Sequence, residues 1–583
     1  MNFKLNKAQF QVSTKNTRLF PVSRLPLLPL LSSLTVALGW GATIPATLAA
    51  ERVTLRLGPF EQAIAISDLE RFAKTGNLPN ELKLYAPVLT PQVREVLNRR
   101  MQIDPNIADK LIEETLRTPT GKQIIQSLGV AIPDSSVDQI QAAVSLAARQ
   151  ANGLSLVGFL RAYPEENITL DASSAIALAL QFNPSYLQTQ ALGPLLERDL
   201  AVNSDKPFKP TFDPSLPGSQ IVQQQTLFLQ DRQRNRTIPV DIYLPRQEQR
   251  TRLDARRLAT ASLTSLISRL SPASRQPLVV ISHGFGADRK FFAYLARHLA
   301  SHGLTVVALE HPSSNIKQLS VSAVNNPAQL LPATEFIDRP KDVSFVLDEL
   351  GKRNRQLGVL QGKLNTEEVS AIGHSLGGYT VLALAGAELN LEELRQFCKG
   401  SSAITQAPGD WLQCAAAELP ERTLKLRDQR IKSVIAFNPL VGQLFGKTGI
   451  AQVATPILML AGTEDTITPA LNNQLQPFNQ LRGSKYLLTA IGGTHLSIGD
   501  PGNLGITSNQ SSVKERRGEE TKPLRQLVQG VSLAFIEQLT SEAKTYQPFL
   551  TPAYAQSFSK PELPLRLNTQ LPASITSLVE VGR

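Results

Sequence analysis

Cysteine is nearly absent from this chain: 583 residues carry two, Cys398 and Cys414. Two cannot staple a small disulfide scaffold or fill a cysteine-rich metal cluster. Histidine is also scarce, at six residues: His283, His298, His302, His311, His374 and His495. No Cys and His pattern with metal-ligand spacing appears, so neither a metal nor a cofactor is expected. Beyond residue 49, no apolar run approaches the roughly 18 residues needed to span a bilayer. Interleaved basic and aromatic residues are lacking, which excludes nucleic acid as an expected partner. No internal repeat is evident.

Acid is missing from residues 1–49, which hold Lys4, Lys7, Lys15, Arg18 and Arg24. An apolar stretch from Leu25 to Trp40, interrupted by Pro26 and Pro29, leads to Thr47-Leu-Ala49. A basic start, an apolar middle and small residues at −3 and −1 read as a signal peptide, with an uncleaved anchor as the alternative. The expectation is a soluble protein exported to the periplasm or beyond. In that compartment Cys398 and Cys414 are expected to form a disulfide. Setting aside the five leader cations lowers the formal charge from +11 to +6. The cluster Arg246 to Arg257 reads as a solvated helix face, with contact to an anionic lipid surface as the alternative.

The chemistry centres on Gly373-His374-Ser375-Leu376-Gly377. A short apolar run precedes this G-x-S-x-G sequence, and a helix-like stretch follows it. That context is a nucleophile elbow: a serine on a sharp strand-to-helix turn with its hydroxyl presented. The order in such folds is serine, acid, then histidine. Only His495 follows Ser375, so it is the candidate base. The candidate acid lies after the apolar run 456–461, in Gly462-Thr-Glu-Asp465. Asp465 is preferred there, and Glu464 is the alternative. Oxyanion donors are expected from the backbone N–H groups of Leu376 and Phe285. Phe285 lies in His283-Gly284-Phe285-Gly286 after the apolar run 277–282, and His283 is expected to brace that loop.

These motifs, with the segment 299–311, resemble the α/β-hydrolases of the platelet-activating-factor acetylhydrolase and dienelactone-hydrolase-like group. The resemblance covers roughly residues 220–545. It implies an α/β-hydrolase fold and metal-independent cleavage of small-molecule or lipid acyl esters by Ser375, Asp465 and His495. The acetylhydrolase pattern places its acid where this chain has Asn438. The dienelactone-hydrolase pattern places it one strand later, at Asp465. Residues 50–205 resemble the helical module that precedes α/β-hydrolase domains in a family of cyanobacterial proteins.

The expected organisation is a leader at 1–49, a mainly helical domain at 50–205 and a Pro-rich linker at 206–219. The hydrolase domain follows at 220–545, with a surface tail at 546–583. Ser67 with Glu70, and Ser136 with Gln139, read as helix-starting capping boxes. Residues 389–430 read as a helical cap and 515–520 as a flexible charged loop. A non-catalytic scaffold on this fold, or an acyltransferase using the same residues, remain as alternatives. Composition does not reach the oligomeric state.

Overall fold

Four short apolar segments build the centre of the molecule because each is buried at every position. They are β6 (Leu278–Ser282), β7 (Val306–Leu309), β8 (Val369–His374) and β10 (Ile457–Gly462). Strands covered on both faces read this way, as near-continuous runs of Val, Ile and Leu. The structure is a computed structural model. It describes residues 50–581 apart from 102–127, 172–183, 247–275, 319–330, 401–406, 504–514 and shorter stretches between 58 and 210. The expected leader and the basic cluster beyond Arg246 lie outside the described residues.

Among the described residues, nine strands form the main sheet. The others are β4 (Ile221–Asp231), β5 (Arg236–Arg246), β9 (Ile431–Phe437), β11 (Lys485–Ala490) and β12 (Leu565–Asn568). Their order is β12-β11-β10-β9-β8-β6-β7-β5-β4. The strands from β11 to β7 in that order are parallel, and antiparallel pairs close both edges. Side chains alternate between faces along a strand. In β6, Val280 joins one buried core while its neighbours Val279 and Ile281 join the other. Helices α6 (Glu335–Arg355) and α7 (Leu376–Ala385) cover the first face. Helices α5 (Ala293–Ser301) and α10 (Lys522–Ile536) cover the second. Mostly parallel strands with helices on both faces make this the α/β-hydrolase fold.

Several boundaries differ from the sequence expectations. The amino-terminal module has its own core, and beside its helices β1 (Arg52–Leu57), β2 (Phe60–Ala65) and β3 (Asn167–Asp171) form a small sheet. Helix α1 (Ile66–Thr75) stops at Gly76, which adopts φ 75°. It starts one residue before Ser67, so no capping box forms, and Glu70 instead pairs with Arg161 at 2.7 Å. Ser136 and Gln139 do cap α2 (Val137–Ala148) reciprocally, at 2.8 and 3.1 Å.

Helix α4 (Pro184–Asp199) falls within the expected 50–205 domain, yet Leu192, Leu196 and the following Leu200 bury in the core of the main sheet. The Pro-rich stretch is no free linker either. Phe208 and Phe212 pack on Phe549, and Phe208 also on Tyr554. The tail at 546–583 is likewise structural, since Leu565 and Leu567 of β12 bury in the second core. In each case proline punctuation suggested separation, while aromatic and leucine burial decided the packing.

Candidate active site

Ser375 is the first residue beyond β8, and the turn there is severe. It holds φ 55° and ψ −120°, one of three described non-glycine residues at positive φ. Such a backbone costs of order 1–3 kcal/mol and persists only where the surroundings impose it. They do so here: Ser375 N–H donates to Phe437 O at 3.0 Å. Ser375 O accepts from Tyr379 and Leu440 N–H, both at 3.0 Å. The flanking glycines are steric necessities. A Cβ at Gly373 would lie 2.0 Å from Gly377 O, and one at Gly377 would lie 2.1 Å from Ser282 O.

The loop after β6 lies against this turn. An ideal Cβ on Gly284 would sit 3.2 Å from Ser375 Cβ. Among the described residues, no acceptor meets the N–H of Phe285 or of Leu376. Gly286 N–H is occupied by Ser314 O at 2.9 Å. Two uncommitted backbone donors therefore flank the serine, one from each loop.

Asp465 follows β10 and His495 follows β11, so both sit at the same carboxyl-terminal edge of the sheet as Ser375. Asp465 is wholly buried and receives five donors. Ile467 and Thr468 N–H reach Oδ1 at 2.9 and 2.8 Å. His495 Nδ1, Asn438 Nδ2 and Thr468 Oγ1 reach Oδ2 at 2.8, 2.6 and 2.9 Å. Burial alone would raise the carboxyl pKa, but the His495 ring and these bonds outweigh it and hold it below the usual value. Burial would conversely lower the His495 pKa, but Asp465 and then Glu515 raise it above the ordinary value. The neighbouring Glu464 points elsewhere, 3.9 Å from Arg516.

His374 joins the serine turn to the histidine loop. Its Nε2 lies 2.9 Å from His495 O, and its ring stacks on Phe291 with centroids 4.8 Å apart. Burial first, then the nearby His495, pushes its pKa down to about 3, so the ring is neutral and donates from Nε2. His283 is neutral too, held far below its usual value by burial and by Arg339. Its Nε2 accepts the His311 N–H at 3.0 Å, which ties the loop after β6 to the segment after β7.

Sequence reading missed other participants. Asn438, at φ 41°, occupies the position where the acetylhydrolase pattern has its acid, and it donates to Asp465. Thr468 contacts both Asp465 and His495, the latter at 3.2 Å. Glu515 begins the segment that reads as a flexible charged loop, yet it accepts the Leu496 N–H at 2.9 Å. A buried ion network of Arg236, Glu335, Arg339 and Asp342 lies behind the loop after β6. Nothing in local sequence brings these residues together.

Cys398 and Cys414 are disulfide-bonded, with Cα atoms 5.8 Å apart. The bridge ties α8 (Leu391–Gly400) to α9 (Pro408–Ala415). Helix α9 leans on the acid-bearing loop, where Gly409 N–H donates to Ile467 O at 2.8 Å. Among the described residues, no three His, Cys, Asp or Glu side chains group as a metal site. None of the described helices is long and apolar enough to cross a membrane.

Two family models match the chain. Residues 49–171 match the family described as alpha/beta hydrolase of unknown function (DUF1400). Residues 251–326 match platelet-activating factor acetylhydrolase, isoform II. Both matches, with the fold, are to α/β-hydrolases, and the second is to the platelet-activating-factor acetylhydrolase group. Among curated relatives, this chain is 29% identical over 147 residues to platelet-activating factor acetylhydrolase of Cavia porcellus, covering 20% of this chain and 33% of that one. It is 29% identical over 146 residues to the Canis lupus familiaris protein of the same name, with the same coverage. Chlorophyllase-2 of Arabidopsis thaliana is 22% identical over 281 residues, covering 45% of this chain and 72% of the plant protein. The chain thus spans about a third of the acetylhydrolases it matches.

Proposed function

We propose that this hydrolase cleaves carboxylic esters, with small-molecule or lipid acyl substrates, through an acyl-enzyme. The observation that carries the proposal is the hydrogen-bonded pair His495–Asp465 on the sheet edge that also bears the strained Ser375. In this reading His495 Nε2 takes the proton from Ser375 Oγ as the hydroxyl attacks the ester carbonyl. Asp465 keeps the other ring proton on Nδ1 and stabilises the imidazolium that forms. The N–H groups of Phe285 and Leu376 receive the oxyanion. Collapse expels the alcohol, which takes its proton from His495. Water, activated by the same base, then releases the acid. Relatives named as an acetylhydrolase and a chlorophyllase support the ester class.

A fluorophosphonate probe tests this reading, because it labels only an activated serine. Labelling at Ser375, with turnover of p-nitrophenyl esters, is expected. A wild-type protein that neither labels nor turns over any acyl ester would refute it. Export is proposed from the leader-like residues 1–49. Amino-terminal sequencing of protein recovered outside the cytoplasm should begin near residue 50.

A further inference from the structure

Arg339 has no place in the catalytic set above, yet its whole side chain is buried against the loop that carries Phe285. Its Nη1 donates to His283 O at 2.7 Å and its Nη2 to Gly284 O at 3.3 Å. Its Nε donates to Ser314 Oγ at 2.9 Å, and Ser314 O in turn holds Gly286 N–H. His283 adds a second donor to the same Gly284 carbonyl. Because His283 Nε2 accepts from the backbone, its proton sits on Nδ1, which meets Gly284 O at 2.7 Å.

The carbonyl of Gly284 and the N–H of Phe285 are two ends of one peptide plane, and in a trans peptide they point opposite ways. A cation and an imidazole anchoring the carbonyl therefore turn the N–H away from the buried network. They also polarise the amide, and donors that pull on a carbonyl strengthen its N–H as a donor. A cation held in a low-dielectric interior acts strongly over such distances. Burial lowers the Arg339 pKa to about 10, so the guanidinium keeps its charge at neutral pH. A role as mere counter-ion explains less. Arg236 already pairs with Glu335 at 3.0 Å and with Asp342 at 2.8 Å.

We propose that Arg339 is a positioning residue for ester cleavage: it fixes and polarises the Gly284–Phe285 peptide so that Phe285 N–H serves as an oxyanion donor beside Ser375. This inference rests on the esterase reading, and the test separates the two. Arg339→Gln removes the cation. The paired Arg339→Gln/Glu335→Gln variant removes a charge of each sign, which keeps the net charge of the buried network unchanged and guards against unfolding. Fluorophosphonate titration counts reactive serines, so kcat for a short p-nitrophenyl ester is expressed per labelled site.

Loss of a whole oxyanion donor costs about 10²–10³ in kcat elsewhere. Weakening one should cost about tenfold to a hundredfold per site, with KM changed less than about threefold. Inhibition by a trifluoromethyl ketone, which forms a tetrahedral oxyanion on serine, should weaken by a similar factor. Guanidinium ion added to Arg339→Ala should restore part of kcat. A merely structural role predicts fewer labelled sites, each turning over at the wild-type rate. Per-site kcat within twofold of wild type in the paired variant, or an unchanged ketone inhibition constant, would overturn the proposal. A wild-type protein without labelling or turnover would instead overturn the esterase reading.

Discussion

Replacing Asp465 by asparagine changes one atom and should disable the site. The carboxylate accepts five hydrogen bonds, two at Oδ1 and three at Oδ2. An asparagine offers one accepting oxygen and one donating NH2. If the oxygen takes the Oδ1 position, the NH2 faces donors from Asn438, Thr468 and His495. If it takes the Oδ2 position, the NH2 faces the N–H groups of Ile467 and Thr468. The first arrangement forces His495 to place its proton on Nε2, where it cannot act as base. The second leaves two buried backbone donors unpaired, at about 1–3 kcal/mol each. In the first arrangement kcat should fall by about 10⁴, as the wrong tautomer does in a serine protease triad. In the second the imidazolium loses its counter-charge, so kcat should still fall more than about tenfold, and stability should fall by about 2–6 kcal/mol. The assay is p-nitrophenyl ester hydrolysis normalised to protein that is folded by circular dichroism. Activity within tenfold of wild type in folded Asp465→Asn would refute the orienting role. Retained activity there with loss in Glu464→Gln would assign the acid to the neighbour.

Asn438→Ala removes the 2.6 Å bond to Asp465 but leaves the charge in place. It should lower kcat by roughly tenfold, the kinetic equivalent of about 1.4 kcal/mol. The base must be neutral to act, and Asp465 and Glu515 raise the His495 pKa, so the acidic limb of kcat/KM should lie above pH 6.5. Glu515→Gln removes a charge that favours the imidazolium, and that limb should move to lower pH; an unmoved limb contradicts the assignment. Gly377→Ala, whose methyl would meet Ser282 O at 2.1 Å, should fail to accumulate as folded protein. Thiol titration of the unreduced protein in denaturant should find no free thiol. Reduction of Cys398–Cys414, 16 residues apart in sequence, should cost about 3 kcal/mol in the chain-entropy model.

The part of the site that was legible in the sequence is local. Gly373 to Gly377 encodes the turn because close backbone approach demands glycine at fixed offsets from the serine. His495 could be singled out because it alone follows Ser375 among the histidines. The buried strands were legible because covered strands are continuously apolar. Long-range partners were not legible. Arg339 reads as one more charge on a 21-residue helix, and only the packing of α6 aims it at residues 283 and 284. Pro340 within that helix leaves Phe336 O without its usual donor, and the Tyr379 hydroxyl of α7 takes it. The 50–205 boundary failed because α4 carries leucines whose partners lie far along the chain, including Leu471, whose N–H meets Thr189 Oγ1 at 3.0 Å.

The central claim is that Ser375 is an activated nucleophile. Mass spectrometry of the fluorophosphonate-treated wild type should place the adduct on the peptide containing Ser375. Ser375→Ala, with a thermal midpoint close to wild type, should show no adduct and less than a tenth of wild-type ester hydrolysis. An adduct on another residue, or hydrolysis above that tenth in folded Ser375→Ala, would contradict it.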